Sequence, residues 1–173
     1  MQAAMDPSPA RPTVARPSVL FVCTANVCRS PMAASLFRAR LMMGRTDWRN
    51  WRVDSAGTWA TGGKAAAVGA QQVLARRGMD ISMHRSRVVT LDLLRRFQLI
   101  LTMEKGQKEA LLLDYPQFAG RIFMISEMAG QEVDVKDPMG GTYMDFERTA
   151  DTLDSWISNG LDRIQNLAVP RDE

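Results

Sequence analysis

The stretch Val19-Leu20-Phe21-Val22-Cys23-Thr24-Ala25-Asn26-Val27-Cys28-Arg29-Ser30-Pro31 constrains this chain more than any other. Four apolar residues, two of them valines, predict a buried strand that ends at Cys23. Ser30-Pro31 is a helix-start signal, with proline near the first helical position. Strand, tight loop and helix N-terminus follow one another without a spacer, and that layout makes an anion site. Loop N–H groups converge as a nest, and the helix adds its free donors and positive dipole end. The planar fork of Arg29 can hold two oxygens of one phosphoryl group. Cys23 sits at the mouth, where such a field lowers a cysteine pKa from about 8.5 to roughly 3.5–7.5. A thiolate beside a bound phosphoryl group is a nucleophile aimed at phosphorus.

The remaining chain alternates between the two regular structures. Residues 30–43 read as a helix with Ala33, Leu36, Phe37 and Leu41 on one face and Gly44 as its stop. Residues 51–57 form a short strand that runs into the loop 58–64, which holds Trp59 and a Gly-Gly pair. A helix is expected over 65–77, with Val73 and Leu74 inward and Gly78 as its stop. The segment 79–89 has little periodicity and contains His84, the only histidine. Thr90 is an N-cap candidate for a short helix to Arg96. Residues 98–103 read as the third strand, 104–113 as a helix, 121–125 as the fourth strand and 126–129 as a helical turn. After the polar loop 130–141, a single helix is expected over 143–167. Its seam is Phe146, Ala150, Leu153, Ile157, Leu161, Ile164 and Ala168, in steps of three and four.

This alternation predicts an α/β fold, a four-stranded parallel sheet with helices on both faces and a phosphate loop after the first strand. In such sheets ligands bind outside the carboxyl ends of the strands. The first strand delivers Cys23, the second delivers Ser55 and the Trp59 loop, and the fourth leads to the loop carrying Asp137. Displacement at phosphorus leaves an oxyanion, and for a phenol its conjugate acid has a pKa of about 10. A carboxylic acid held over it supplies the missing proton, and the same group then activates water. Asp137, stiffened by Pro138, is the candidate, and Asp134 is its rival. An ordinary Asp-Pro turn is the bland alternative.

The string C-T-A-N-V-C-R-S-P resembles the signature of the low-molecular-weight protein tyrosine phosphatases, C-x-G-N-x-C-R-S-P. The resemblance continues through Val53-Asp54-Ser55-Ala56-Gly57, His84 with Arg87 and Thr90, Thr102-Met103, Asp137-Pro138 and Asp145-Phe146-Glu147. It implies a phosphatase with Cys23 as nucleophile, Arg29 as phosphate clamp and Asp137 as general acid and base. Thr24, Ala25, Asn26, Val27, Cys28 and Ser30 would bind the phosphoryl group. Asn26, Ser30, Ser55 and His84 match a hydrogen-bond network that supports the loop. The residue matching Cys28 can bond the nucleophile under oxidation, while its plain reading is a small buried hydrophobe. Ala25 replaces the usual glycine, a cost if that position needs φ > 0.

Met139-Gly140-Gly141 follows Asp137-Pro138 where many members carry aromatics, and resembles the bacterial branch that includes protein-arginine phosphatases. Val27 stands where those enzymes have threonine, which points to phosphotyrosine, with phosphoarginine as the alternative. Trp59 either supplies the missing aromatic contact or packs under its loop. An arsenate reductase of the same scaffold would relay oxidation through later cysteines, and none follows Cys28. A non-catalytic phosphoprotein-binding module would not need Cys23 or Asp137.

The expected partners are phosphorylated proteins or peptides, with phosphate and other oxyanions as inhibitors. A net charge of +3 without a dense basic run argues against nucleic acid. No apolar run approaches a membrane span. One histidine and two cysteines of one loop offer no tetrahedral metal set, and no cofactor is implied. Two cysteines in a single loop suit a reducing compartment, so a cytoplasmic location is expected. Residues 1–17 hold Pro7, Pro9, Pro12 and Pro17, half the prolines of the chain. They read as a loosely attached arm before a single domain at 18–173, without the apolar core of a secretory leader.

Overall fold

β1, Ser18–Cys23, is the strand on which the others are laid. It pairs in parallel with β2, Arg52–Gly57, from Ser18 opposite Arg52 to Cys23 opposite Gly57. On its other side it pairs in parallel with β3, Leu99–Thr102, which in turn pairs with β4, Ile122–Met124. The order β2-β1-β3-β4 puts a change of direction beside β1. The crevice at such a switch point lies outside the carboxyl end of the strand, which here is Cys23. The computed structural model describes residues 15–171.

Both faces of the sheet are covered, which explains the unbroken apolar runs in its strands. Val19, Phe21 and Cys23 face one core, with Leu99, Leu101 and Met103 beside them. That core is closed by α1 (Arg29–Gly44), α2 (Val68–Arg76), α5 (Ile125–Met128), α6 (Tyr143–Asn159) and α7 (Leu161–Ala168). Leu20, Val22 and Ile100 face the other core, under α3 (Leu91–Arg95) and α4 (Lys105–Asp114). Phe21 and Phe37 are fully buried, each worth roughly 1.5–3 kcal/mol of transfer free energy. Thr90 is the N-cap of α3, its Oγ1 accepting from the Leu93 N–H at 3.1 Å. Two short 3-10 turns, Trp48–Asn50 and Pro116–Arg121, were not expected from the pattern.

Three expectations are corrected. The helix expected over 65–77 begins at Val68. Ala67 is extended, with ψ 141°, and its N–H donates to the Val27 carbonyl at 2.7 Å, so a tertiary bond to the Cys23 loop outcompetes alanine's helix preference. The single helix expected over 143–167 is two, parted at Gly160. A Cβ on Gly160 would lie 2.6 Å from the Met128 Cβ and 2.8 Å from its carbonyl carbon. The chain therefore changes course where α5 presses on it, while the apolar seam continues across the break. Arg29, not Ser30, is the first residue of α1.

Of the expected arm, residues 1–14 lie outside the described residues. Pro17 already continues the ladder between β1 and β2, since its carbonyl accepts the Arg52 N–H at 2.9 Å. Among the described residues no helix is long and apolar enough to cross a membrane.

Candidate active site

The loop between β1 and α1 is held open by Asn26. Its φ is +56°, the left-handed conformation that asparagine tolerates better than most residues. This places the unusual backbone one residue beyond Ala25. The cost foreseen for alanine from a positive φ therefore does not arise, since Asn26 is the one non-glycine residue with φ > 0 among the described residues. Asn26 is fully buried and its side-chain amide is spent on the loop. Nδ2 donates to the Ser30 and Ser55 hydroxyls, both at 2.9 Å, and Oδ1 accepts the Arg87 N–H at 2.9 Å. Its carbonyl accepts from His84 Nε2 at 2.7 Å. His84 thus holds backbone, with its ring nitrogen turned to the loop from outside. The support residues read from the sequence, Asn26, Ser30, Ser55 and His84, come together in one network.

Two donors converge on the Cys23 sulfur. The Asn26 N–H lies 3.3 Å from Sγ, and the Ser30 Oγ lies 3.0 Å from it. Ser30 already accepts from Asn26, so its own hydrogen is free for the sulfur or for the Ala56 carbonyl at 3.4 Å. Thr24 and Ala25 are exposed at the mouth and Val27 is half-buried in the wall. Gly57 lies against this loop. A Cβ there would be 2.3 Å from the Thr24 carbonyl oxygen and 3.1 Å from the Asn26 nitrogen, so the close approach admits only glycine.

Arg29 is almost entirely buried, with 3% of its side chain exposed. A buried guanidinium needs partners. Nη1 donates to Glu104 Oε1 and to the Val135 carbonyl at 2.8 Å. Nη2 faces Asp137 Oδ2 at 3.5 Å. Both hydrogens of Nη1 are thus committed, and Nη2 and Nε are left for a ligand. The Asp137 carboxylate is half-exposed and shares the rim with Cys23, although 114 residues separate them in the chain. Its other oxygen accepts the Met139 N–H at 3.1 Å, a turn bond that fixes the carboxylate's direction. Asp134, the rival, is turned away. Its Oδ1 accepts the Lys105 N–H at 2.8 Å at the start of α4.

Cys28 is buried, with its thiol 3.8 Å from the Met32 sulfur. Burial pushes this thiol up, and Asp137 and the Cys23 sulfur add to the shift against the opposing pull of Arg29. It stays protonated through the physiological range. Both cysteines are free.

Trp59 is 85% exposed, which removes the reading in which it packs under its loop. Its N–H donates to the Thr24 carbonyl at 3.0 Å, so the ring projects from the same rim as the Cys23 loop.

Glu104 and Gln107 escaped the sequence reading. Gln107 is buried, accepts the Met103 and Glu104 N–H groups, and donates to Thr24 Oγ1 at 3.1 Å. Both stand just past the carboxyl end of β3, which pairs with β1. Its position beside β1 was the signal. Among the described residues no group of three or more metal-ligating side chains is present.

The chain is similar in sequence and fold to known proteins. The family described as "Low molecular weight phosphotyrosine protein phosphatase" matches residues 18–168. A Ralstonia nicotianae protein named "Probable low molecular weight protein-tyrosine-phosphatase EpsP" is 34% identical over 148 residues, covering 86% of this chain and 96% of that one. A protein-arginine-phosphatase of Geobacillus stearothermophilus is 31% identical over 147 residues, covering 84% and 95%. The crystal structure of a low molecular weight protein tyrosine phosphatase from T. tengcongensis superposes with a TM-score of 0.79 at 38% identity, covering 84% of this chain and 98% of that one. The chain belongs to the low molecular weight phosphotyrosine protein phosphatases, a family of cysteine-dependent phosphatases.

Proposed function

We propose that this protein hydrolyses phosphotyrosine in proteins or peptides through a cysteinyl-phosphate intermediate. The phosphoryl group enters the Cys23 loop, where backbone N–H groups and the first turn of α1 receive its oxygens. Arg29 Nε and Nη2 take two of them, since Glu104 and the Val135 carbonyl hold Nη1. The sulfur anion of Cys23 attacks phosphorus, and the bond to the tyrosine oxygen breaks. Protonated Asp137 gives that oxygen its proton, so tyrosine leaves neutral. In the second step Asp137 takes a proton from water, the water oxygen bonds to phosphorus, and the S–P bond breaks. Ser30 then donates to the departing sulfur anion. Phosphate leaves, and the enzyme is again a sulfur anion with protonated Asp137.

One observation carries this reading. The Asp137 carboxylate stands 3.5 Å from the guanidinium that would hold the phosphoryl group. That contact supports a general acid on the ligand side of the clamp.

The half-buried apolar Val27 offers a wall suited to a flat ring, and exposed Trp59 offers a second face. Phosphoarginine is the second reading, favoured by Met139-Gly140-Gly141 and by the Geobacillus relative. Two free thiols, one of them needed as an anion, suit a reducing compartment such as the cytoplasm. The deciding experiment compares kcat/KM on paired peptides that differ only in phosphotyrosine or phosphoarginine. The account predicts a clear preference for phosphotyrosine. Preference for phosphoarginine would reassign the substrate and leave the roles of Cys23 and Arg29 in place.

A further inference from the structure

The end of the sheet opposite the Cys23 loop carries a second concentration of positive charge. A cavity of about 320 Å³ there is lined by Arg16, Arg38, Trp48, Arg49, Trp51 and Arg52. Among the described residues none of these four arginines forms an ion pair. The nearby carboxylates are taken. Asp47 is held by Arg45 at 2.7 Å, and Asp54 by Arg87 at 2.6 Å. Burial, then Arg16 and Arg96, hold the Arg52 guanidinium below its ordinary range, against the opposing pull of Asp54.

The guanidinium groups are partly fixed in place. Arg38 Nη2 donates to the Val53 carbonyl, and Arg52 Nη1 donates to the Arg96 carbonyl at 3.1 Å. Arg49 lies over the Trp48 ring at 4.5 Å. The remaining wall is built by the two tryptophans. Trp51 is only 7% exposed, and its Nε1–H is buried without a hydrogen-bond partner. Buried donors of that kind are rare in folded proteins and costly.

Planar forks without carboxylate partners match phosphoryl oxygens in pairs. Four of them in one cavity call for more than one negative charge. The substrate's own phosphoryl group does not fill it. β1 spans six residues between the two ends, which at about 3.3 Å per residue separates them by roughly 17 Å. We propose that this cavity binds a small, multiply phosphorylated molecule at a site separate from the catalytic loop. The tryptophan rings would pack against its uncharged part.

The four tryptophans supply the test. Indole N–H resonances in ¹⁵N-labelled protein are followed while tripolyphosphate is added. Trp48 and Trp51 report the cavity, and Trp59 reports the catalytic rim. Saturable shifts at Trp48 and Trp51 are expected. In the triple variant Arg38→Gln, Arg49→Gln, Arg52→Gln their apparent affinity falls at least about tenfold, as loss of charge-assisted bonds requires. The response of Trp59 stays unchanged. Arg49→Gln alone, an exposed change that leaves the fold intact, weakens the Trp48 and Trp51 response about threefold. The proposal is overturned if Trp48 and Trp51 stay still while Trp59 responds. It is equally overturned if their shifts keep the same affinity in both variants.

Discussion

Replacing Asp137 by asparagine separates the two jobs that its position implies. As general acid, the group contributes about 10²–10⁴ in rate, or roughly 2.7–5.5 kcal/mol at about 1.36 kcal/mol per decade. The side chain is 49% exposed, so water competes for the same proton transfer. That puts the expected loss in the lower half of the range, about 10²–10³ in kcat for phosphotyrosine, whose leaving phenolate has a conjugate-acid pKa of about 10. Asparagine also removes a negative charge 3.5 Å from Arg29 Nη2. For so exposed a charge the gain in anion binding is about 0.2–1 kcal/mol, so inorganic phosphate should bind roughly 1.5- to 5-fold more tightly. The assay is steady-state kinetics on phosphotyrosine and on an aryl phosphate with a much more acidic phenol, with phosphate as competitive inhibitor. The loss in kcat should shrink sharply for the acidic phenol, which leaves without help. Equal losses on both substrates, or phosphotyrosine turnover within about threefold of wild type, would refute the assignment.

Three further outcomes follow from the loop and the core. Asn26→Ala loses three side-chain hydrogen bonds and must still adopt φ +56°. At about 1 kcal/mol per bond it should lower Tm by roughly 6–12 °C in a scanning calorimeter and depress activity with it. A variant as stable as wild type would show that the network is incidental. Because burial raises the Cys28 pKa, its thiolate is absent below that raised value and appears only in strong base. Iodoacetamide should therefore modify Cys23 alone up to about pH 9, as read by peptide mass spectrometry, and labelling of Cys28 at neutral pH would contradict its burial. Gly160→Val forces a side chain into Met128 and should cost about 1–3 kcal/mol in denaturant unfolding with little change in kcat. An unchanged midpoint would mean that α5 and α7 yield freely.

What the sequence disclosed and what it hid divide along the range of the interactions. The β1 strand, its loop and the start of α1 are local, so apolar run, cysteine, arginine and Ser-Pro were enough to read them. The order β2-β1-β3-β4 then brought Ser55 and Asp137 toward the Cys23 loop, as the strand exits implied, while His84 was expected there from the family resemblance. Pro138 and the family resemblance favour Asp137 over Asp134, whereas the partners of the two carboxylates, Arg29 for Asp137 and the Lys105 N–H for Asp134, leave no local signal. Glu104 acts on a residue 75 positions away and Gln107 on one 83 away, and no periodicity records such a partner. The split at Gly160 was hidden because the seam keeps its helical spacing across the break. The late start of α2 was hidden because a hydrogen bond from Ala67 to Val27 outweighs three helix-favouring alanines.

The central claim is a covalent one, that phosphorus passes through the Cys23 sulfur. The Asp137→Asn protein, slowed in its second step, can be mixed with the acidic aryl phosphate, quenched in acid within the first turnovers and digested for mass spectrometry. The account predicts one added phosphoryl group, on the peptide bearing Cys23 and on that residue, and loss of turnover in Cys23→Ser. A phosphoryl group on any other residue, or full turnover in Cys23→Ser, would contradict it.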